Sequence, residues 1–180
     1  MHAVNFAKGF AKYMGWNCAE YNKFKSSGCA HDFQKAICGG LYDNLNWNAI
    51  PGRALNLLVN SKFIENHGLV ESYTKWLENQ PVAKFTGYVY ELGHEFMQYR
   101  YSKTMPIYKR ITLDKQFESL IQKAQADDTI KENVWCALDT SGSMSWSNPA
   151  MNGVTALDIC ISLGVFFSTL NKGAFHKNVI

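Results

Sequence analysis

Residues 134–138 form a continuous apolar run, Val134-Trp135-Cys136-Ala137-Leu138, that leads straight into Asp139-Thr140-Ser141-Gly142-Ser143. An almost unbroken apolar stretch, 155–170, follows the intervening loop. No other part of the chain restricts the fold as much. A short apolar run bounded by turn residues predicts a strand buried on both faces, and 155–170 predicts a helix apolar nearly all round, as one packed on a sheet is. Between them, 139–154 carries Gly142, Pro149 and Gly153 and reads as a loop. The tail turns back toward a second strand at 177–180. Strand, loop, helix and strand make one βαβ unit, the seed of a parallel sheet. One unit cannot bury its own faces, so the expectation is a truncated, Rossmann-like α/β domain.

The preceding residues follow a helical pattern. In 3–14, Val4, Phe6, Ala7, Phe10, Ala11 and Met14 fall on one stripe. A turn at Ser26-Ser27-Gly28 precedes a helix that ends at Gly39-Gly40, where glycine relieves a left-handed C-cap. The stretch 48–68 predicts one helix with Pro51 near its first turn and Gly68 beyond its end, and 69–81 predicts another, stopped by Pro81. An aromatic-rich helix is expected over 84–101. A further one is expected over 113–128, with Leu113, Phe117, Leu120, Ile121 and Ala124 inward. Polar 125–133 marks the boundary. The expected organisation is a repeat-like helical domain, 1–126, followed by the first part of an α/β domain, 127–180.

Composition suits a folded chain: 47% hydrophobic, 18% charged and 14% aromatic in 180 residues. Its apolar runs fall short of the ~18 residues of a membrane helix. The first residues carry lysines within their apolar stretch and no small-residue cleavage site. The expectation is a cytoplasmic protein with no membrane partner. Five cysteines, an odd number at wide spacing, read as free thiols. Cys18, Cys29, His31 and Cys38 could hold zinc, but lack the close cysteine pairs of structural sites. Residues 1–126 hold 15 Lys and Arg against 10 Asp and Glu, a balance of +5, whereas 127–180 hold 3 against 5, a balance of −2. That basic excess suits either an acidic partner such as RNA or a solvated helical surface.

Alternate residues of an extended segment point the same way, so Asp139, Ser141 and Ser143 can converge at the end of the first strand, where α/β sheets bind ligands. One carboxylate with two hydroxyls is an oxygen-only donor set for Mg²⁺, or for Mn²⁺ or Ca²⁺. The competing reading is a Ser/Gly-rich turn without an ion. Thr155 and Asp158 read as a helix start and a first-turn acid. No metalloprotease, phosphate-loop or serine-nucleophile motif occurs, and His94-Glu95 reads as a packed or exposed pair, so catalysis is not expected.

The stretch "DTSGSM", with its apolar run before and apolar helix after, resembles the Asp-x-Ser-x-Ser signature of von Willebrand factor A domains, the metal-ion-dependent adhesion site. The resemblance implies that Asp139, Ser141 and Ser143 are metal ligands, with a threonine and an aspartate from later loops completing the set. It also implies that a partner protein's carboxylate fills an open coordination position. The helical array ahead of such a domain is similar to Ro-type RNA-binding proteins with their TROVE module. The stretches "YNKFKSSGCAHDFQKAI", "NAIPGRALNLL" and "VWCALDTSGSMSW" bring it nearer to an uncharacterised bacterial and phage family of the same layout. Three functions are thereby implied. The first is a non-catalytic, Mg²⁺-dependent binding protein. The second is a Ro-like protein that holds structured RNA. The family's RNA-binding residues do not carry over one by one, and Lys23, Lys25, Arg53 and Lys62, with Tyr21 or Trp47 as stacking surfaces, are candidates by their chemistry alone. The third is a structural phage or bacterial component with a degenerate metal site.

Overall fold

The computed structural model describes residues 9, 11–29, 31–99, 104–127, 132–147 and 153–180, the side chain of Asn44 excepted. Of the helix expected over 3–14, residues 9 and 11–13 are helical. Residues 3–8 and 10 lie outside the described residues, as do 100–101 of the expected aromatic helix, 128–131 of the polar boundary and 148–152 of the loop.

Short-range chemistry sets the helix ends. Helix α1 (Cys18–Ser27) opens with a reciprocal pair: Asn17 Oδ1 accepts the Glu20 N–H at 3.0 Å, and Glu20 Oε2 accepts the Asn17 N–H at 2.8 Å. Two donors that a helix start leaves open are thus satisfied. Helix α2 (Asp32–Gly39) stops at Gly40, whose φ of 72° is the left-handed conformation that favours glycine. Helix α3 (Gly52–Asn60) follows Pro51.

The single helix expected over 48–68 is two helices. Lys62 takes φ 59° and helix α4 (Phe63–Asn66) begins beyond it. The break turns Ile64, wholly buried, into the core that Leu55 and Val59 already line. A left-handed lysine costs about 1–2 kcal/mol, from which glycine is exempt at some loss of chain entropy. Lys62→Gly therefore raises stability by about 0.5 kcal/mol. Chemical denaturation checks this as a higher midpoint at unchanged slope; a lower midpoint means the lysine side chain contributes more than its backbone strains.

Helix α5 (Val70–Glu78) ends where Lys115 Nζ donates to the carbonyl oxygens of Leu77, at 2.7 Å, and Gln80. A cation is favourable at that end of the helix dipole. Helix α6 (Val89–Met97) is shorter than the 84–101 expected. Residues 84–88 stay outside it because Lys84 Nζ reaches the Asn48 carbonyl at 2.7 Å and its backbone lies on α3, where a Cβ on Gly52 would meet the Lys84 carbonyl oxygen at 2.9 Å.

Helix α7 (Ile107–Ala126) starts directly after Pro106 and is buried on two sides, where the sequence suggested one. Leu113 packs with Phe85 and Leu92, with Phe117 and Leu120 against them. The other side carries Tyr108, Thr112 and Gln116 at helical spacing toward α5. There the Tyr73 hydroxyl meets Thr112 Oγ1 at 2.9 Å inside the main core of Trp47, Ile50, Leu55, Ile64 and Leu77. Polar residues on this side hid it from a hydrophobic pattern.

Helix α8 (Ala156–Leu170) packs against α6 and α7. Its buried residues lie on two sides, Asp158 and Ser162 toward α6 and Gly164 with Ser168 on the side that meets Leu138, while Leu163 and Val165 are exposed. Small residues allow close approach: a Cβ on Gly93 of α6 would lie 1.7 Å from Ser162 Oγ.

The expected βαβ unit is not present. Among the described residues there is no strand and no sheet, so neither the start of a parallel sheet nor an α/β domain forms. The segment 134–138 is extended, but its backbone groups find other partners. Asn171 holds Val134 on both sides, accepting its N–H at 2.8 Å and donating to its carbonyl at 2.7 Å. Ile180 accepts from Leu138 N–H at 2.7 Å and donates to the Cys136 carbonyl at 3.0 Å. An amide side chain and one residue do not make a ladder. Over 177–180, Lys177 takes φ 58°, which interrupts an extended run.

Candidate functional site

Asp139 ends the extended segment, and its carboxylate immediately organises the next two residues. Oδ1 accepts the Ser141 N–H at 2.9 Å, an Asx turn of the kind aspartate favours. The chain then tightens into a 3-10 turn, Gly142–Ser145, with the Met144 N–H on the Ser141 carbonyl at 3.0 Å. That curl brings Ser143 round until its Oγ lies 3.1 Å from Ser141 Oγ. Asp139, Ser141 and Ser143 are all exposed. The sequence-predicted residues are thus brought together, by a turn and not by strand alternation. The Ser141 N–H, with its hydroxyl, holds the Asp139 carboxyl below the usual carboxylate range against a smaller opposing effect of burial.

This is a chemically suitable set for a hard cation. All three donors are oxygens, one is ionised at neutral pH, and Mg²⁺ commonly takes one or two carboxylates and keeps several waters. Elsewhere, among the described residues, no three His, Cys, Asp or Glu side chains gather as a metal-ligand group. Cys18, Cys29, His31 and Cys38 are included in that statement, and all five cysteines are free thiols. Burial and the neighbouring Cys38 push the Cys29 thiol up.

Thr155 and Asp158 belong to the start of α8. The Thr155 hydroxyl accepts the Asp158 N–H at 3.0 Å, and Asp158 Oδ2 accepts the Thr155 N–H at 2.9 Å. The same Oδ2 meets His94 Nδ1 at 2.8 Å, joining α8 to α6. The 3-10 turn carrying Ser143 packs beside this helix.

The four basic residues do not converge. Lys23 is exposed on α1, while Lys25 is half-buried with its ammonium 5.0 Å from the Tyr21 ring. Arg53 lies in the first turn of α3 and Lys62 beyond its last residue, the helix from Arg53 to Asn60 alone spanning roughly 10 Å at 1.5 Å per residue. Trp47, read as a stacking surface, is instead buried against Tyr73 and Trp76 at ring distances of 5.0 and 6.3 Å. Other lysines are engaged within the chain: Lys84, Lys115 and Lys123 donate to carbonyl oxygens and Lys109 pairs with Glu95.

Sequence reasoning missed two polar clusters. One is His94 with Asp158. The other is a cleft floored by Lys109 and Glu95, 2.7 Å apart, with Tyr108 beside them. Burial and the nearby Glu65 carboxylate push the Tyr108 hydroxyl well above its ordinary range, so it stays protonated. Neither cluster follows a spacing rule, because its members come from different helices.

Comparison with known proteins matched no family model, no curated protein and no solved structure. With no strand among the described residues, the resemblance to von Willebrand factor A domains is overturned, and so is the layout shared with Ro-type proteins and the bacterial and phage family. The six residues of "DTSGSM" reproduce a signature without the sheet that gives it meaning. No helix among the described residues is long and apolar enough to cross a membrane.

Proposed function

We propose that this protein is a binding protein, not a catalyst, that engages a carboxylate-bearing partner through a divalent cation, Mg²⁺ or else Mn²⁺ or Ca²⁺, held by Asp139, Ser141 and Ser143. The observation that carries this reading is the approach of the two serine hydroxyls to 3.1 Å beside an ionised, exposed carboxylate. In this role Asp139 supplies the charge, and Ser141 and Ser143 replace waters of the ion's shell. Three protein oxygens leave coordination positions open, which a partner's carboxylate can take. The lowered Asp139 pKa keeps the charge available through mildly acidic pH.

One carboxylate implies weak affinity, on the order of 10⁻³ M. Calorimetry with MgCl₂ and MnCl₂ tests it. The expected result is saturable binding that disappears in Asp139→Ala, with an unchanged far-ultraviolet spectrum because the residue is exposed. Equal binding by the variant, or none by the wild type, refutes the reading.

A further inference from the structure

A cavity of about 360 Å³ lies where α6, α7 and α8 meet. Leu92 and Phe96 line it from α6, Leu113 and Phe117 from α7, and Ile161 and Val165 from α8. One edge of it is fixed. There Gly93 and Ser162, both in the lining, pass so closely that a Cβ on the glycine would stand 1.7 Å from the serine hydroxyl. Beside them the His94–Asp158 bond, 2.8 Å, ties the same two helices.

Two side chains in the lining are polar, and neither calls for a polar ligand. The Ser162 hydroxyl already donates to the Asp158 carbonyl. Asp114 is largely exposed and has Arg110 Nε 4.0 Å from its carboxylate, so water and a neighbouring cation balance its charge. A charged or strongly polar molecule would give up its water for walls that offer it no partner. An uncharged apolar molecule gives up nothing, and its entry removes apolar surface from water on both sides.

Size narrows the occupant further. An apolar cavity of ~150 Å³ is enough to take benzene, and this one is more than twice as large. A partner's helix does not fit inside, since one turn of it, ~10 Å across and ~5.4 Å long, fills roughly 420 Å³. We infer that the cavity binds an uncharged, apolar small molecule on the order of ten carbons, a two-ring aromatic or a short alkyl chain. Phe96 and Val165, both exposed, form part of its mouth, and Met97 lies in the lining beside them. The site is separate from Asp139, Ser141 and Ser143.

The test follows the methionine methyl signals of the intact chain by NMR, in EDTA, so that no metal contributes. Met97→Leu, a swap that conserves volume, identifies the Met97 signal. The probes are naphthalene and 1-octanol, with octanoate and octylammonium as the charged forms of the same chain. Val165→Trp plugs the mouth, and Leu163→Trp, on the same helix but outside the lining, is its control. Both positions are exposed, so the far-ultraviolet spectrum should not change. The Met97 signal is expected to shift saturably with naphthalene or with octanol, the aromatic ring moving it upfield. Affinity should fall at least tenfold for both charged chains and at least tenfold in Val165→Trp, and should hold in Leu163→Trp. No shift of Met97 with either neutral probe at about 0.2 mM naphthalene or about 1 mM octanol overturns the proposal. So does octanoate or octylammonium binding as tightly as octanol, or binding that Val165→Trp leaves intact.

Discussion

Asp158→Ala is expected to lower the unfolding free energy by about 2–4 kcal/mol, as the loss of a helix cap and of one partner in a buried polar pair. The residue is 3% exposed, and one oxygen serves two elements. Oδ2 accepts the Thr155 N–H at 2.9 Å and meets His94 Nδ1 at 2.8 Å. Alanine leaves both donors without that acceptor, whereas Asp158→Asn keeps an oxygen for them and loses only the charge. The asparagine variant should therefore lose about half as much. The pH dependence has a definite sign. Burial pushes the Asp158 carboxyl up, but the Thr155 N–H, His94 and the Thr155 hydroxyl together pull it further down, and the net shift is downward. A carboxyl depressed in the folded state contributes stability that is full above the unfolded value of about 3.9 and is lost as pH falls through the folded value. Urea midpoints of the wild type should therefore fall below pH 4 by more than those of Asp158→Asn. Parallel curves for the two proteins would show that the carboxylate is not coupled to folding.

Helix positions in this chain are legible because their signals are local. Gly40 and Gly68 hold left-handed turns where the sequence places helix ends, and Thr155 with Asp158 forms the reciprocal cap that their spacing suggests. The break at Lys62 was not legible. A lysine carries no preference for φ 59°, and only the burial of Ile64 in the core explains it. The second buried side of α7 was hidden for a related reason. Thr112 and Gln116 are polar residues at wholly buried positions, and a pattern that scores hydrophobicity places them outside.

The larger failure concerns 134–138 and 155–170. A short apolar run and a helix apolar all round are what a sheet protein shows, yet the same residues serve a helical packing here. The run is held by the Asn171 side chain, and α8 buries serine and glycine on two sides while leaving Leu163 and Val165 exposed. Periodicity cannot separate these outcomes, because it reports which residues are apolar and not what covers them. For the candidate site the balance is reversed. Asp139, Ser141 and Ser143 lie within five residues of one another, so turn chemistry alone gathers them whatever the surrounding fold. The cleft at Lys109 and Glu95 depends on several helices meeting, and no local signal announces it.

Gly93→Val is expected to destabilise the protein by about 3 kcal/mol, at the upper end for overpacking a close contact. A Cβ at this position would stand 1.7 Å from Ser162 Oγ and 2.9 Å from Ser162 Cβ. The hydroxyl can rotate away, but doing so breaks its bond to the Asp158 carbonyl. The Cβ cannot move without separating α6 from α8. Glycine within a helix is worse than alanine by roughly 1 kcal/mol, so Gly93→Ala relieves part of what its clash costs and falls between wild type and valine. The contact itself is isolated by pairing either variant with Ser162→Gly, which removes both clashing atoms. Gly93→Ala with Ser162→Gly exchanges one small side chain for another across the same crossing. The double variant should stay within about 1 kcal/mol of the sum of its helix-propensity terms, with a favourable coupling of 1 kcal/mol or more. Urea denaturation of the four proteins in the cycle measures that coupling. Strict additivity would mean the helices do not meet at Gly93, and the His94–Asp158 bond that depends on this approach would then need another explanation.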